Sequence, residues 1–321
     1  MPPSSSGPIS VQPYAPEHAP AFLRLLNLAR GQDTALESFL TQDAAWPASQ
    51  IRQRAMAMQE GVAVGMVELR HFDYLPLGWL LLTLVVDPAS RHQSSGAGLY
   101  RWAEHQAATL GADGLGANVL DDDLDSREWA VRRGFTLRAH RFASELNLLQ
   151  TQPAPELPLG VTIRDMTGAT PAEWERLVSL YGDLLMDTPD MFGQPRWAPE
   201  QLRAHTRDNP RARPDWTLLA VSETGETLGL CQGVQISMGI YNEFTGVIPA
   251  ARGQGLARAL KLELIRRAQA AGVLLMRTNN HAANGPMLGV NNRLGFVQLS
   301  GSWEMRQALG DETGALNRQF T

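Results

Sequence analysis

The sequence predicts a mixed α/β protein in which one unit is used twice. It expects two tandem domains, each a mostly antiparallel mixed sheet flanked by helices. Three observations predict it. Apolar runs of strand length alternate with longer stretches of helical period along the 321 residues. A spacer, Gln150 to Pro158, places three prolines in nine residues and favours an extended chain over a helix. The halves on either side repeat their landmarks, with Pro88 and Pro249 161 positions apart and Gly134 and Gly295 also 161 apart. The expected division is a first domain over 8–149, a linker over 150–158, a second domain over 159–310 and a tail over 311–321.

Each half opens alike. Ile9 to Gln12 and Val161 to Arg164 read as first strands, and helical patterns follow from Ala19 to Ala29 and from Pro171 to Leu185. Met56 to Gln59 and Val62 to Leu69 flank Glu60-Gly61 as a hairpin; Thr217 to Ser222 and Thr227 to Ile236 flank Gly225-Glu226 in the same way. An apolar strand from Leu80 to Asp87 stops at Pro88, and Phe244 to Ile248 stops at Pro249. A glycine-bearing loop comes next in both halves, and then a helix. That helix carries Leu99, Ala103, Ala107 and Leu110 on one side in the first half, and Leu256, Leu260, Leu264 and Ala268 in the second. Leu115 to Val119 and Leu274 to Thr278 read as strands, and Ser126 to Arg133 and Asn284 to Arg293 as helices. Gly134-Phe135 and Gly295-Phe296 open further strands. Matching glycine to glycine sets Gly96 against Gly255, 159 positions apart, so two extra residues are expected in the first loop.

Composition narrows the function. Lys and Arg number 28 against 33 Asp and Glu, a net charge of −5, which argues against a dedicated nucleic-acid binder and suits a cationic small-molecule partner. Lys261 is the only lysine. The single cysteine, Cys231, excludes an intrachain disulfide and a cysteine-cluster metal site, and it fits a reducing cytoplasm. The N-terminal Met-Pro-Pro-Ser-Ser-Ser-Gly-Pro lacks the basic and apolar regions of a signal peptide. The most apolar stretch, Trp79 to Val86, is far short of the ~20 residues that cross a bilayer. The expectation is a cytoplasmic protein with no membrane, nucleic-acid or metal partner. Its oligomeric state is not legible.

The glycine loops carry the chemistry. A strand, a glycine-rich turn and a helix N-terminus together present unpaired N–H groups and a partial positive charge, which suits an anion. Arg252 adds a charged donor in the second half. The spacing Arg252-x-x-Gly255-x-Ala257 is neither the dinucleotide-binding Gly-x-Gly-x-x-Gly nor the P-loop pattern. A tight turn without a ligand is the alternative.

Two segments resemble the GNAT superfamily of acyl-CoA N-acyltransferases. One is Thr245-Gly-Val-Ile-Pro-Ala-Ala-Arg252-Gly-Gln-Gly255-Leu-Ala257-Arg-Ala-Leu260-Lys261. It resembles the superfamily's pyrophosphate loop. The other runs Thr278-x-Asn280-x-x-x-Asn284-x-x-Met287-x-x-x-Asn291-x-x-Leu294-Gly295-Phe296 and resembles its strand-Asn-helix-Leu-Gly-Phe segment. Gln93-x-x-Gly96-x-Gly98 and Arg133-Gly134-Phe135 resemble a weaker copy. The resemblance spans most of both halves and implies a tandem GNAT protein.

It implies that acetyl-CoA is the cosubstrate and that the amides of Arg252, Gly253, Gln254, Gly255, Leu256 and Ala257 bind its pyrophosphate. Gln93, Gly96 and Gly98 would form a second set. Phe244 to Ile248, with Val247 and Ile248 nearest the loop, would line the pantetheine arm. Asn284 and Asn291 would stand beside it. The reaction implied is direct attack by a small-molecule primary amine, which needs a base. Tyr241 and Glu243 lie two apart on the strand and share a face, with Glu243 the base; an exposed edge carboxylate is the alternative. The tyrosine that often protonates the departing thiolate would fall at Asn291, and at Ala130 in the first half, where Asp123 takes the asparagine's place. The two extra loop residues, the lack of arginine at position 93 and Ala130 imply a degenerate first half. A non-catalytic acyl-CoA-binding or scaffold protein, and a transferase with a non-acetyl donor, are the rival readings.

Other residues are open to two readings. Asp187 and Asp190, with Met191, hold a cationic amine or are solvated loop acids. His281 stands near the thioester or is a loop histidine. Asp121, Asp122, Asp123 and Asp125 form an acidic helix start and lack the calcium-loop glycine and glutamate. Cys231, on an apolar strand, reads as a small core residue.

Overall fold

The computed structural model describes residues 7–30, 33–150, 152–237 and 239–310. The first half forms β1 (Ile9–Pro13), α1 (Ala19–Arg30), α2 (Leu36–Ala44), β2 (Arg52–Gln59), β3 (Val62–Arg70), β4 (Trp79–Val86), α3 (Ser95–Thr109), β5 (Gly114–Leu120), α4 (Leu124–Val131) and β6 (Thr136–Asn147). The second half forms β7 (Val161–Asp165), α5 (Pro171–Met186), α6 (Pro199–His205), β8 (Ala212–Ser222), β9 (Thr227–Ile236), β10 (Gly239–Val247), α7 (Leu256–Ala270), β11 (Leu275–His281), α8 (Gly285–Arg293) and β12 (Val297–Ala308). The mixed α/β repeat is therefore present. The expected tail over 311–321 lies outside the described residues.

Local chemistry explains the boundaries. α5 starts at a capping box: Thr170 Oγ1 accepts from the Glu173 N–H at 3.3 Å, and the Glu173 carboxylate accepts from the Thr170 N–H at 2.8 Å. Pro171 occupies the first helical position, where its missing N–H is not needed. α7 buries Leu256, Leu260, Leu264 and Ala268, the stripe that the spacing predicts. Each such leucine contributes about 1.5–3 kcal/mol of burial free energy.

The chain divides into two compact units whose borders differ from a cut at the linker. Unit 1 holds Met1–Val119, Asp123–Arg138 and the chain from Glu304 onward; unit 2 holds Leu120–Asp122 and Ala139–Trp303. The halves therefore exchange strands. Residues 139–147 of β6 belong to unit 2, where β6 pairs antiparallel with β11, and residues 304–308 of β12 belong to unit 1. Strand order is β1-β2-β3-β4-β5-β12 in unit 1 and β6-β11-β10-β9-β8-β7 in unit 2. β4–β5 and β10–β11 are parallel pairs, and the ladders from β1 to β4 and from β7 to β10 are antiparallel. In unit 2 the core lies between α7 and the sheet, with Leu218, Cys231, Ile240 and Met276 beneath the helix. In unit 1 a core packs Phe22 and Leu25 of α1 on Met56 and Met66. Leu157 of the linker lies against the unit 2 core.

The borrowed residues of β12 hold unit 1 by specific bonds. The Arg306 carbonyl accepts from Thr136 Oγ1 at 3.1 Å, and the Leu309 N–H donates to the Asp113 carbonyl at 2.9 Å. Gln307 accepts from the Tyr100 hydroxyl at 2.5 Å and donates to the Arg133 carbonyl at 2.8 Å. A fragment of residues 1–150 leaves these partners unmet and keeps β6 without β11. Such a fragment is expected to show no cooperative thermal transition by circular dichroism, whereas the full chain does; a sharp transition in the fragment contradicts the exchange.

Candidate active site

The site of unit 2 is built on a fork. β10 and β11 start side by side, so close that a Cβ added at Gly239 would stand 2.2 Å from the Leu275 carbonyl oxygen. Their parallel ladder covers only Ile240–Met276 and Tyr241–Arg277, although β10 continues to Val247 and β11 to His281. Beyond Tyr241 the strands part, and the ladder no longer joins this edge of β10 to β11. At the end of β10, a single 3-10 turn, Pro249–Ala251, leads into residues 252–255 and then α7. Gly253 and Gly255 adopt φ of 77° and 80°, and a Cβ at either would meet nothing within 4 Å. The loop therefore exposes backbone toward open space at the positive end of a 15-residue helix. The Arg252 Nε donates to the Val247 carbonyl at 3.1 Å, and its guanidinium pairs with Asp187.

β10 carries a bulge. Asn242 pairs with Gly233 and Phe244 with Gln232, so Glu243 is the extra residue. The bulge turns Phe244 to the same side as α5, where its ring lies 4.7 Å from that of Tyr181. Glu243 lies 3.8 Å from His205 Nδ1 at the end of α6, and the His205 ring stacks on Trp197 at 4.6 Å. Burial and the Glu243 charge hold the Tyr241 phenol well above its ordinary pKa, so it stays protonated at neutral pH. Its oxygen accepts a hydrogen bond from the Asn279 backbone. Tyr241 is thus a hydroxyl in this site and not a base.

On the other side of the strand, buried polar groups hold the bulge. Asn242 Nδ2 donates to the Gln232 and Phe244 carbonyls, both at 3.0 Å, and so spans the irregular step. Asn242 Oδ1 accepts from Thr245 Oγ1 at 3.2 Å and from Lys261 Nζ at 2.5 Å. The Asn242 carbonyl, where the β11 ladder ends, accepts from Thr278 Oγ1 at 3.1 Å. Lys261 is 1% exposed, and burial lowers its pKa from 10.5 to about 8. Burial also pushes the Cys231 thiol up, and it accepts weak bonds from Asn242 and Thr245, so it is no nucleophile here.

The profile of the Acetyltransferase (GNAT) family matches residues 22–135 and again residues 178–296. The chain belongs to that family, with two GNAT repeats. Among solved structures it is similar to a GCN5-related N-acetyltransferase from Sphaerobacter thermophilus, at 22% identity and a TM-score of 0.74, over 94% of this chain and 96% of that one. It is also similar to a tandem GNAT protein from the clavulanic acid biosynthesis pathway, at 20% identity and a TM-score of 0.73, over 95% of this chain and all of that one. At these identities the likeness speaks to fold. No curated protein matches the sequence.

The first GNAT repeat keeps the backbone of the site and changes its side chains. The two extra residues expected in its loop are absent. Ser94, 161 positions before Gly255, is the left-handed residue that starts α3, with φ 68°, and His92 stands for Gly253 with φ 64°. Arg91 is therefore the counterpart of Arg252, and Gln93 that of Gln254. Gly96 and Gly98 lie inside α3, where a Cβ at Gly98 would come 3.3 Å from Val11. β4 pairs with β3 from Gly65–Val86 to Arg70–Leu81 without a bulge, although it too leaves β5 after three pairs. The side of the sheet facing α2 is filled by ions: Glu68 accepts from Arg52 at 3.0 Å and Arg54 at 2.7 Å, and Arg54 also reaches Asp43 at 2.7 Å. Glu68 is cross-strand from Arg54 and Thr83; the matching row in unit 2 is Thr217, Gln232 and Phe244, without charge.

The remaining expected residues fall as follows. Asn284 caps α8, its Oδ1 accepting from the Met287 N–H at 3.4 Å, and Asp123 caps α4 from Ser126 at 3.0 Å. Asn291 is buried and donates to Asn280 Oδ1 at 2.7 Å. Asp187 is paired with Arg252 and Asp190 with Arg141, so neither is a bare anion for an amine. His281 Nδ1 accepts from the Ala283 N–H at 3.0 Å and shapes the turn before α8. Asp121 takes hydrogen bonds from His140 at 2.8 Å and the Gly301 N–H at 2.9 Å. The sequence reading missed His205 and Asn242. Neither sits in a motif, and each reaches the site only through the bulge.

The shift at Lys261 has a thermodynamic consequence. Between pH 8 and 10.5 the unfolded chain binds the lysine proton more tightly than the folded one, so this group's penalty, ~3 kcal/mol below pH 8, fades as pH rises. Lys261→Met is expected to match or exceed the wild type in stability at pH 7, with the difference moving toward the wild type by pH 10. Urea unfolding at both pH values measures it. A pH-independent difference contradicts the buried, shifted amine.

Proposed function

We propose that unit 2 transfers an acetyl group from acetyl-CoA to a primary amine of a small molecule by direct attack, and that unit 1 is a repeat without turnover. The observation that carries this reading is the fork: β10 and β11 part at Tyr241 directly beside a bulge, and the wedge between them leads to the loop of Gly253 and Gly255.

The residues fit the cosubstrate. The open space over Gly253 and Gly255, the N-terminus of α7 and Arg252 together suit a pyrophosphate. Val247 and Ile248 lie between that loop and the wedge, along the path of a pantetheine arm, and Asn284 stands at the start of α8. Acetyl-CoA supplies the activated acyl group as a thioester. The chain supplies orientation and proton transfer. Glu243 is the base: with Asp187 and Asp190 each held by an arginine, it is the carboxylate on the bulge that draws in a cationic amine and takes its proton. Tyr241, kept protonated, offers its hydroxyl oxygen as an acceptor for the incoming ammonium and so orients the amine. The β10 amides beyond the bulge stabilise charge on the carbonyl oxygen under attack.

A second reading, a non-catalytic acyl-CoA-binding protein, draws on Asn291. Its amide is tied to Asn280 and cannot serve as the acid that a tyrosine would provide. A thiol of pKa near 8.5 leaves tolerably as thiolate without that acid, so turnover does not depend on it.

Glu243→Gln tests the reading. In a screen of small primary amines with acetyl-CoA, followed by thiol release, the variant is expected to lose turnover at least tenfold near pH 6.5. The loss should shrink toward pH 9, where more amine is already neutral, and CoA affinity should hold. An equal loss at every pH removes Glu243 as the base.

A further inference from the structure

Lys261 is costly where it stands. It is 1% exposed, and its polar contacts are neutral: Asn242 Oδ1 at 2.5 Å, with the Phe296 ring 5.3 Å away and Cys231 nearby. A methionine fills similar volume without the charge, and replacing buried ions by apolar side chains is commonly neutral or stabilising. Packing therefore does not explain the only lysine in the chain.

The repeat supplies an internal comparison. The counterpart of Lys261, 161 positions earlier, is Tyr100, whose hydroxyl turns to Gln307 and not to the strand. By ladder register the counterpart of Asn242 is Leu82, which pairs with Leu69 as Asn242 pairs with Gly233, and β4 has no bulge there. Bulge, asparagine and lysine are present together in unit 2 and missing together in unit 1.

We infer that Lys261 and Asn242 are positioning residues that fix the bulge of β10 from the α7 side and thereby aim the amides that meet the acyl carbonyl. Asn242 Nδ2 bridges the carbonyls on both sides of the bulge, and Lys261 fixes the orientation of that amide, because an ammonium accepts nothing and must face Oδ1. The same contact ties the bulge to α7, the helix whose N-terminus forms the anion loop. Pyrophosphate loop and acyl end are thus held in register by one buried bond. This inference rests on unit 2 being the acyl-CoA site.

The test compares two probes, acetyl-CoA and CoA, by calorimetric titration of the full-length protein. Lys261→Met is expected to keep its CoA affinity and a thermal midpoint no lower than that of the wild type, while its affinity for acetyl-CoA relative to CoA falls about tenfold, roughly one hydrogen bond. Asn242→Asp, which retains an acceptor for Lys261 but removes both Nδ2 bonds, is the second variant and is expected to show the same selective loss. An unchanged ratio in both overturns the inference. So does a parallel loss of both ligands with a lowered midpoint, since that marks a purely structural role. Failure of the wild type to bind either probe refutes the acyl-CoA site itself, and the inference with it.

Discussion

Two parallel neighbours that part inside a folded protein strand their backbone N–H and C=O groups, and each buried group must find another partner or face a ligand. This constraint organises unit 2. At the point of parting, the Asn242 carbonyl is taken by the Thr278 hydroxyl, and the carbonyls across the bulge are taken by the Asn242 amide. Side chains thus satisfy the acceptors at the fork, and beyond it this edge of β10 has no ladder partner in β11. The anion loop follows because β10 ends at Ile248-Pro249, where proline cannot continue the ladder and the chain turns into α7.

The first repeat shows what the fold alone demands. It keeps the parting of β4 from β5, an arginine at the loop and two left-handed residues before the helix. His92 and Ser94 hold those conformations without glycine, at a cost of order 1 kcal/mol or more each. Their side chains stand where Gly253 and Gly255 leave open space, and Asp123 puts a carboxylate where unit 2 has the neutral Asn284. The face that in unit 2 carries Gln232 and Phe244 is closed in unit 1 by Glu68 and its arginines. The backbone architecture and the loop arginine persist, while the uncharged face beside the strand does not.

Much of this was legible from residue patterns, because helices, hairpins and glycine turns are local. The stripe of α7 and the loop at Arg252 both follow from short-range spacing. The first loop was misread because glycines were matched to glycines. The constant offset of 161 already pointed to Arg91 and Ser94, but a serine at positive φ leaves no mark in a pattern of residue types. The strand exchange had no local signature either: β6 and β12 both follow a Gly-Phe pair, and which neighbour each finds is decided by long-range pairing. Lys261 did leave a signal, a lone lysine between Leu260 and Leu262 on the apolar side of a helix. Its partner became visible only once the bulge had turned Asn242 beneath the strand.

The central claim is one acyl-CoA site per chain, in unit 2. Calorimetric titration of the full-length protein with acetyl-CoA tests it most directly. The account predicts one equivalent bound, and none in Gly255→Glu, where bulk and negative charge enter the space over the loop. Two equivalents, or one that survives Gly255→Glu, would contradict it.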